Sequence, residues 1–334
     1  MDRIPATFGL DAEQTAGLLT TAARAPSLHN TQPWRFRVTP TVIELYSDPD
    51  RRLPVVDPDG REMRIACGAA LLNLRLALQG HGIRPLVTVL PDADRPDLIA
   101  TVRHGGRKIP TPAVLQLLRA VPLRRTNRRP FTDVPVEAQD QYALKKAALD
   151  EGAWLQVVEN VADRSRLQQL AVQAHQVQIA DPAFTEELRR WTAVSPDRRD
   201  GVPAGAGGPR PAAQDRWTMR DFAGDSAPAR LPGKDFESDP LIAVLTSHLS
   251  GERAEIQVGM ALQRVLLTAT ARGLAVSFLS QVVEVTGFRE QLRRLIGGTR
   301  PPQAVLRIGR GWPVAATPRR AVADLLMPEP AVSS

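Results

Sequence analysis

The stretch CGAALLNLRLALQGHGI, residues 67–83, is a long apolar segment that recurs in altered form 191 positions later. The later copy, VGMALQRVLLTATARGL, spans residues 258–274. Apolar residues recur in both segments at the three- and four-residue spacing of a helix. Each segment ends near a glycine, Gly82 or Gly273, that can close a helix in the left-handed conformation. The sequence therefore predicts two related long helices, the first over residues 62–81.

The elements around these two helices favour a degenerate duplication. The offset of 191 residues also aligns Gly68 with Gly259. A helix-like run and Trp34 precede the first long helix, and a helix-like run and Trp154 precede the second at an offset of 120 residues. Two amphipathic helices can resemble each other by coincidence, but helix, tryptophan, strand and helix in one order favour a repeat. The offsets of 191 and 120 differ by 71 residues, which must be inserted between Trp154 and Gly259.

The segment ARAPSLHNTQPWR, residues 23–35, lies between an amphipathic helix and a strand-like run. Pro26 and Pro33 prevent a continuous helix, because proline lacks a backbone N–H and extends the residue before it. The run that follows predicts a hairpin around Thr39–Thr41. These residues alone leave two alternatives open, an ordinary turn after a helix and a shaped loop that binds something.

Composition limits the classes of function. At 334 residues the chain is expected to have two cores or one large pseudo-symmetric core. The net charge of +7 comes mainly from arginine, but acidic residues are interspersed and only 4% of residues are aromatic, so general nucleic-acid binding is the weaker interpretation. No signal-peptide core and no membrane-length apolar run occurs, which predicts a cytosolic protein. Histidine and cysteine are not paired at ligand spacing, so no metal site is expected.

Two further segments are rich in arginine or in proline and glycine. The segment from Arg103 to Arg129 is interpreted as a connection between the halves. The sequence PLRRTNRRPF at 122–131, where this segment ends, places four arginines around a threonine and an asparagine. Guanidinium groups beside a hydroxyl and backbone N–H groups suit a phosphate, although a solvated linker is the alternative. The segment at about 176–240 reads as a linker, but Trp217, Met219 and Phe222 favour a segment that folds over the rest.

Four motifs together resemble the nitroreductase superfamily of FMN proteins, and especially its tandem-duplicated Acg-like branch, which is associated with flavin binding or sequestration. The motifs are PSLHNTQPW at 26–34, RRTNRRPF at 124–131, GMALQRVLLTATARGL at 259–274 with SFLSQ after it, and IGRGWPVAATPRR at 308–320. They span nearly the whole chain in the order that the family has.

The resemblance implies an α+β nitroreductase-like fold. Two degenerate repeats in one chain would form a pseudo-dimer around a mixed or antiparallel sheet with flanking helices. Residues 1–110 would form the first half, with the PSLHNTQPW loop. Residues 111–334 would form the second half, with the RRTNR phosphate site and a lid-like insertion at about 176–240. One chain would then build the site that relatives build from two subunits, so a monomer suffices, while a dimer stays open.

The resemblance also implies which residues bind FMN. The first half would contribute Pro26, Ser27, Leu28 and Asn30 near the isoalloxazine, and Gln32 at the ring edge or the ribityl chain. The second half would hold the phosphate with Arg124, Arg125, Thr126, Arg128, Arg319 and Arg320. The turn after the second long helix would give a backbone N–H to flavin N5, at Ser280 or Gln281.

Two functions are compatible with this site. The first is ping-pong hydride transfer from NAD(P)H to a nitroaromatic, quinone or conjugated acceptor, in which His29 is a weak candidate for a proton donor. A histidine in such a loop more often orients the loop itself. The second is flavin sequestration or storage, with the insertion closed over the FMN. A lid serves either function, because it can exclude water or exclude substrate.

Overall fold

The structure, a computed structural model, describes residues 4–195, 197–212, 214–230, 236–237 and 239–327. Parts of the predicted insertion (196, 213, 231–235 and 238) and the C-terminal 328–334 lie outside the described residues. The helices are α1 (Ala12–Ala23), α2 (Arg61–Gly80), α3 (Pro112–Ala120), α4 (Ala138–Leu149), α5 (Val161–Ile179), α6 (Pro182–Trp191), α7 (Ala204–Gly207), α8 (Glu252–Ala271), α9 (Gln281–Glu284) and α10 (Thr286–Leu295). The strands are β1 (Trp34–Val38), β2 (Val42–Ser47), β3 (Ile83–Val89), β4 (Leu98–Arg107), β5 (Ala153–Val157), β6 (Thr192–Val194), β7 (Val202–Pro203), β8 (Leu241–Ser247), β9 (Ala275–Phe278) and β10 (Pro302–Gly309).

Two four-stranded sheets share one strand order. The first runs β1-β2-β4-β3 and the second β5-β8-β10-β9. Every neighbouring pair in both sheets is antiparallel. Within each half the order is therefore first, second, fourth, third, and the long helix α2 or α8 separates the second strand from the third. The α+β fold class is confirmed, and the equal strand orders agree with a duplication, whose pseudo-dimer origin stays a prediction.

The two long helices pack against each other at a pair of glycines. A Cβ atom on Gly68 would lie 2.1 Å from the carbonyl oxygen of Ile256, and one on Gly259 would lie 2.0 Å from that of Ile65. The contact is reciprocal, because Ile65 and Ile256 are 191 residues apart and align with each other, as the two glycines do. Only glycine permits this backbone approach. The helix pair therefore joins the two halves at its closest point.

Polar pairs reinforce the junction between the helices. The Nε of Arg64 donates to Glu255 at 2.5 Å, and the Nε2 of Gln263 donates to the Oδ1 of Asn73 at 2.8 Å. Asn73 and Gln263 are completely buried. A buried amide pair favours one register of two packed helices, because a shift would break the hydrogen bond between them.

Local predictions in the first half are confirmed. The side chain of Asp11 accepts from the backbone N–H of Gln14 and caps α1. Strands β1 and β2 form the predicted hairpin, and Gly82 follows α2 with a φ of 72°. The interpretation of 103–129 as a connection is wrong for much of its length. Arg103–Arg107 completes the central strand β4, and α3 occupies part of the remainder.

The segment between β5 and β8 is long and mostly structured where it is described. In the first half the equivalent strands are joined by a tight hairpin, whereas here α5, α6, β6, β7 and α7 intervene. Trp217 is 4% exposed and packs with Leu167 and Ala171 of α5. The segment therefore forms a layer over the second sheet. Among the described residues, no helix is long and apolar enough to cross a membrane.

We predict that Gly68→Ala lowers the free energy of unfolding by about 1–3 kcal/mol, the usual cost of forcing extra atoms into a packed interface. The methyl group has no space beside the carbonyl oxygen of Ile256, so α2 and α8 must separate. Gly17→Ala in α1 is the matched control, because a Cβ atom added there would have no neighbouring atom within 4 Å. Thermal unfolding followed by circular dichroism should show a lower Tm for Gly68→Ala alone. Equal melting temperatures would contradict the packing argument.

Candidate functional site

A cleft with about 990 Å³ of empty space, counting its open mouth, lies where the two halves and the insertion meet. The first half contributes Pro26, Ser27, Leu28, His29, Glu62, Ile65, Ala66 and Ala69. The second half contributes Thr126, Arg128, Leu262, Ser277, Phe278, Leu279, Ser280 and Gln281. The insertion contributes Gly207, Trp217, Thr218, Met219, Arg220 and Phe222. Residues from most of the motifs on which the predicted site depends therefore line the cleft.

The loop at 26–34 forms one wall of the cleft in an uncommon backbone conformation. His29, Asn30 and Gln32 have φ values of 49°, 58° and 52°. Positive φ is uncommon for residues other than glycine, and each such residue persists only where its surroundings hold it. Three of them within four positions favour the shaped loop over the ordinary turn that the sequence left open.

The loop is held by partners from distant parts of the chain. The Nδ2 of Asn30 donates to the carbonyl oxygens of Gly201 at 2.9 Å and Pro318 at 3.1 Å. The Oδ1 of Asn30 accepts from Arg319 at 2.9 Å. Within the loop, the hydroxyl of Ser27 accepts the backbone N–H of Gln32 at 2.9 Å. The insertion and the C-terminal segment therefore fix the shape of the loop.

A smaller cavity continues from the loop into the arginine motif. Its lining includes Pro26, Ser27, Asn30, Arg124, Arg125, Thr126, Arg128, Thr317 and Arg319. The segment reaches this place because it runs beside β9: the backbone N–H of Asn127 donates to the carbonyl oxygen of Val276 at 2.8 Å. The predicted phosphate residues from two distant motifs thus line one cavity.

Among the described residues, no carboxylate pairs with the arginines of this cavity, of which Arg124 is buried and the others are half-buried. Arg124 is 5% exposed, and its Nε and Nη1 atoms have no hydrogen-bond partner among the described residues. Burial, with the charge of Arg125, lowers the pKa of Arg124 to about 10. Burial, with the charges of Arg124, Arg125 and Arg24, lowers that of Arg319 to about 9. A charge buried without a partner is costly, and an anion in this cavity would supply one.

Arg128 lies where the small cavity opens into the cleft. Its guanidinium stacks 4.3 Å from the ring centre of Phe222 and donates to the carbonyl oxygen of Ala206 at 3.1 Å. Burial, followed by the charges of Arg220 and Arg124, lowers its pKa to about 10. Arg128 therefore connects the arginine motif to the insertion.

Gln32 and Arg320 lie outside both cavities, contrary to their predicted placement. The amide of Gln32 donates to the carbonyl oxygen of Arg199 at 2.9 Å and accepts the backbone N–H of Arg320 at 2.9 Å. The guanidinium of Arg320 pairs with the buried Asp48 at 3.4 Å. Both side chains are bonded to other parts of the protein, so a contact of either with a ligand stays a prediction.

His29 lies in the cleft but is poorly suited to donate a proton. It is 3% exposed, and its Nδ1 has no hydrogen-bond partner among the described residues. Burial, followed by the charges of Arg220 and Arg128, lowers its pKa well below the ordinary value. The imidazole is therefore neutral at pH 7 and can act as a ring contact or a hydrogen-bonding group.

Sequence reasoning missed Glu62 and Arg220. Glu62 stands in the first turn of α2, where the pattern shows only an ordinary helix start, and burial raises its pKa to about 7. Arg220 pairs with the buried Glu284 at 2.6 Å across the gap between insertion and α9. Only the aromatic residues around Arg220 signalled that this part of the insertion is buried. Among the described residues, no group of three or more His, Cys, Asp or Glu side chains is placed to hold a metal.

No protein-family model matches the sequence. Two proteins of Mycobacterium tuberculosis that carry the name "Putative NAD(P)H nitroreductase" are similar over most of the chain. Rv3131 is 34% identical over 335 residues, covering 95% of this chain and 92% of its own length. The protein acg is 31% identical over 312 residues, covering 91% of this chain and 92% of its own length.

Solved structures are similar at a lower level. A nitroreductase with bound FMN from Desulfitobacterium hafniense has 14% identity and a TM-score of 0.38, covering 61% of this chain and 93% of its own. The NADPH:FMN oxidoreductase of Vibrio harveyi, complexed with NAD+, has 11% identity and a TM-score of 0.34, covering 61% of this chain and 71% of its own. Scores this low carry no argument about individual residues.

We predict that Arg124→Met stabilises the protein when no anion is added, by about 1 kcal/mol or more, because it removes a buried charge that lacks a partner. Added inorganic phosphate should raise the Tm of the unaltered protein and leave that of Arg124→Met nearly unchanged. Arg253→Met, at an exposed arginine, is the control and should respond to phosphate as the unaltered protein does. A destabilised Arg124→Met that still responds to phosphate would refute the anion site.

Proposed function

Because the chain belongs to the Acg-like branch of the nitroreductase superfamily, we propose that it binds FMN in the cleft and works as an NAD(P)H oxidoreductase. The observation that carries the proposal is the buried guanidinium of Arg124, whose Nε and Nη1 have no partner among the described residues. It lies among other arginines in a cavity that opens beside a larger, partly apolar cleft. A phosphate and a flat ring system on one ligand match this pair of spaces.

The residues present fit the phosphate of FMN. Arg124, Arg125, Arg128 and Arg319 supply positive charge, and Thr126 supplies a hydroxyl donor in the same cavity. Guanidinium groups bind phosphate through paired, charge-assisted bonds. Arg319 already donates to Asn30, to the hydroxyl of Thr317 and to backbone carbonyl oxygens, so in this proposal it adds charge and fixes the loop. Arg124 is the principal ligand.

The ring system would lie between the two halves. Pro26, Ser27 and Leu28 line the cleft from the first half, and Ser280 and Gln281 line it from the second. Bound FMN supplies hydride chemistry at N5, and a backbone N–H at Ser280 or Gln281 would donate to that position. The neighbouring arginines would favour a negatively charged reduced ring through their positive charge.

The proposed reaction is ping-pong hydride transfer from NAD(P)H to a nitroaromatic, quinone or conjugated acceptor. Both substrates would use the cleft in turn, and the apolar side chains Trp217, Met219 and Phe222 would contact a flat substrate on its exposed face. Arg220 lies at the same edge, where its charge is balanced by Glu284. The pocket therefore suits flat aromatic acceptors better than charged aliphatic ones.

Flavin sequestration is the second candidate, and one observation favours it. The insertion supplies six of the residues that line the cleft, so it already occupies the side from which a substrate would approach. It is fastened to the first half by Arg51, which donates to Asp200 at 2.9 Å, and by Glu187, which accepts the backbone N–H groups of Val55 and Val56. A fastened insertion would hold FMN and exclude NAD(P)H.

Anaerobic mixing separates the two functions. We predict that the purified protein carries FMN, and that NADH or NADPH bleaches the flavin absorbance within seconds if the cleft admits a nicotinamide. Persistent colour would reject catalysis and support sequestration. The double variant Arg124→Ala with Arg128→Ala should lose FMN on desalting, while Arg253→Ala retains it. Full retention of FMN by the double variant would refute the phosphate assignment.

We also predict that Asp200→Ala increases the rate of flavin reduction by NAD(P)H. The change removes the carboxylate that pairs with Arg51 and Arg198, which loosens the insertion without altering a residue that lines the cleft. Stopped-flow absorbance measures the effect, and Asp239→Ala, at an exposed ion pair with Arg164, is the control. A rate that does not change would show that this fastening does not limit access.

A further inference from the structure

A second basic cavity adjoins the one that we propose for the FMN phosphate. Its empty space is about 250 Å³, counting the mouth. The wall that the two cavities share is made by Arg124, Arg125, Thr317 and Arg319. Among the described residues, the second cavity is completed by Val121, Ala316 and Arg24. We call it the Arg24 cavity, because Arg24 is the charged residue that lines the second cavity and not the first.

The side chain of Arg24 is not used by the helix that it ends. Arg24 caps the C-terminus of α1, where a basic side chain often bonds to the last carbonyl oxygens. Here Arg319 takes that place, since its Nε donates to the carbonyl oxygen of Ala23 at 2.9 Å and its Nη2 to that of Ala25 at 3.3 Å. Within the described part of the chain, the guanidinium of Arg24 has no hydrogen bond and no ion pair. It is therefore available to a ligand in the cavity.

The wall shared by the two cavities holds unused hydrogen-bond donors. The buried Nε and Nη1 atoms of Arg124 have no partner among the described residues. Arg125 uses only its Nη1, which donates to the carbonyl oxygens of Pro122 and Arg124, both at 2.8 Å. The hydroxyl of Thr317 accepts from Arg319 at 2.7 Å, so its own proton is free to be donated. Such donors suit the oxygen atoms of a phosphate.

The positive charge of the two cavities exceeds what one phosphate can balance. Their linings contain no Asp or Glu among the described residues, and the five arginines are Arg24, Arg124, Arg125, Arg128 and Arg319. A phosphate monoester carries a charge of about −1.5 to −2 at pH 7, so about three positive charges remain after it binds. The charge of Arg24 acts on Arg125 and on Arg319, which places these groups close together. A second anionic group would relieve their repulsion.

We propose that the Arg24 cavity is a subsite for a second phosphate group beside the flavin phosphate, an inference that rests on the proposed function. Two sources can supply this group. FAD carries two linked phosphates, and Ala316 in the lining is exposed, so the cavity reaches the surface, where the adenosine of FAD would lie. Inorganic phosphate is the other source, and it would stabilise the flavin complex as a separate ligand.

The affinities for FMN and FAD test the first source. Flavin-free protein in a buffer without phosphate is titrated with each flavin by isothermal titration calorimetry. If the second phosphate of FAD occupies the subsite, Arg24→Met should weaken FAD binding by about 10-fold or more, the usual loss for one charge-assisted hydrogen bond. FMN binding should be nearly unchanged. Arg24→Lys should recover part of the affinity for FAD, and Arg253→Met, at an exposed arginine of α8, should bind both flavins as the unaltered protein does.

Thermal unfolding of the FMN-loaded protein tests the second source. FMN then fills the first cavity, so a gain in Tm from added inorganic phosphate reports on the Arg24 cavity. If free phosphate is the ligand, it should raise the Tm of the unaltered protein above the value in potassium chloride of equal ionic strength. Arg24→Met should lose this gain, and Arg253→Met should keep it.

The outcomes separate the subsite from the proposed function. A selective loss of FAD affinity or a loss of the phosphate gain in Arg24→Met supports the subsite and identifies its source. The proposal is overturned if Arg24→Met changes neither, or if it weakens FMN and FAD equally while phosphate gives no gain. Failure of FMN to bind would reject the proposed function instead. Phosphate added to the flavin-free protein then decides the subsite, because Arg24→Met should reduce the gain in Tm there as well.

Discussion

The contact between Gly68 and Gly259 is the constraint on which the arrangement of the two halves depends. At this point the backbones of α2 and α8 approach so closely that neither helix can carry a side chain. The same two helices present Ile65 and Leu262 to the cleft. The distance between the helices therefore sets the depth of the cleft as well as the stability of the junction. A larger residue at either glycine would change both together.

A second constraint is electrostatic and works against stability. Arg124 and Arg319 line one cavity, and the positive charge of Arg124 contributes to the lowered pKa of Arg319. The strained loop beside them adds the cost of positive φ at His29, Asn30 and Gln32. Such destabilising features are expected at binding sites, because a bound ligand stabilises the folded protein and offsets them.

The sequence predicted the elements of the first half well, because their signals are local. Asp11, the hairpin and Gly82 depend only on residues a few positions away. The sequence also identified the motifs that supply most of the residues lining the cavities. That these motifs lie together in space depends on contacts between residues far apart in the chain. What the sequence could not show is which polar side chains have partners within the protein. Gln32 and Arg320 look like ligands in a motif, but their partners, Arg199 and Asp48, are visible only in the fold.

Glu62 could not be found from the sequence for a related reason. A glutamate in the first turn of a helix is one of the commonest patterns, since it interacts well with the helix dipole. Its unusual pKa comes from burial and from Asp57 and Glu284, of which only Asp57 is near in sequence. The insertion was easier to interpret, because Trp217 among its glycines and prolines predicted burial, and that side chain is 4% exposed.

The insertion performs two tasks through different parts, and this limits how the cleft can open. Residues near 199–201 hold the loop, since the carbonyl oxygen of Gly201 accepts from Asn30 and that of Arg199 accepts from Gln32. Residues 217–222 line the cleft. Lifting the whole insertion would free the loop from partners that its positive φ values require, and so would disturb the wall against which a ligand lies. Moving 217–222 alone keeps those bonds to the loop, but it breaks the stacking of Phe222 on Arg128 and the buried ion pair of Arg220 with Glu284. Either displacement therefore separates buried charged or strained residues from the partners that hold them.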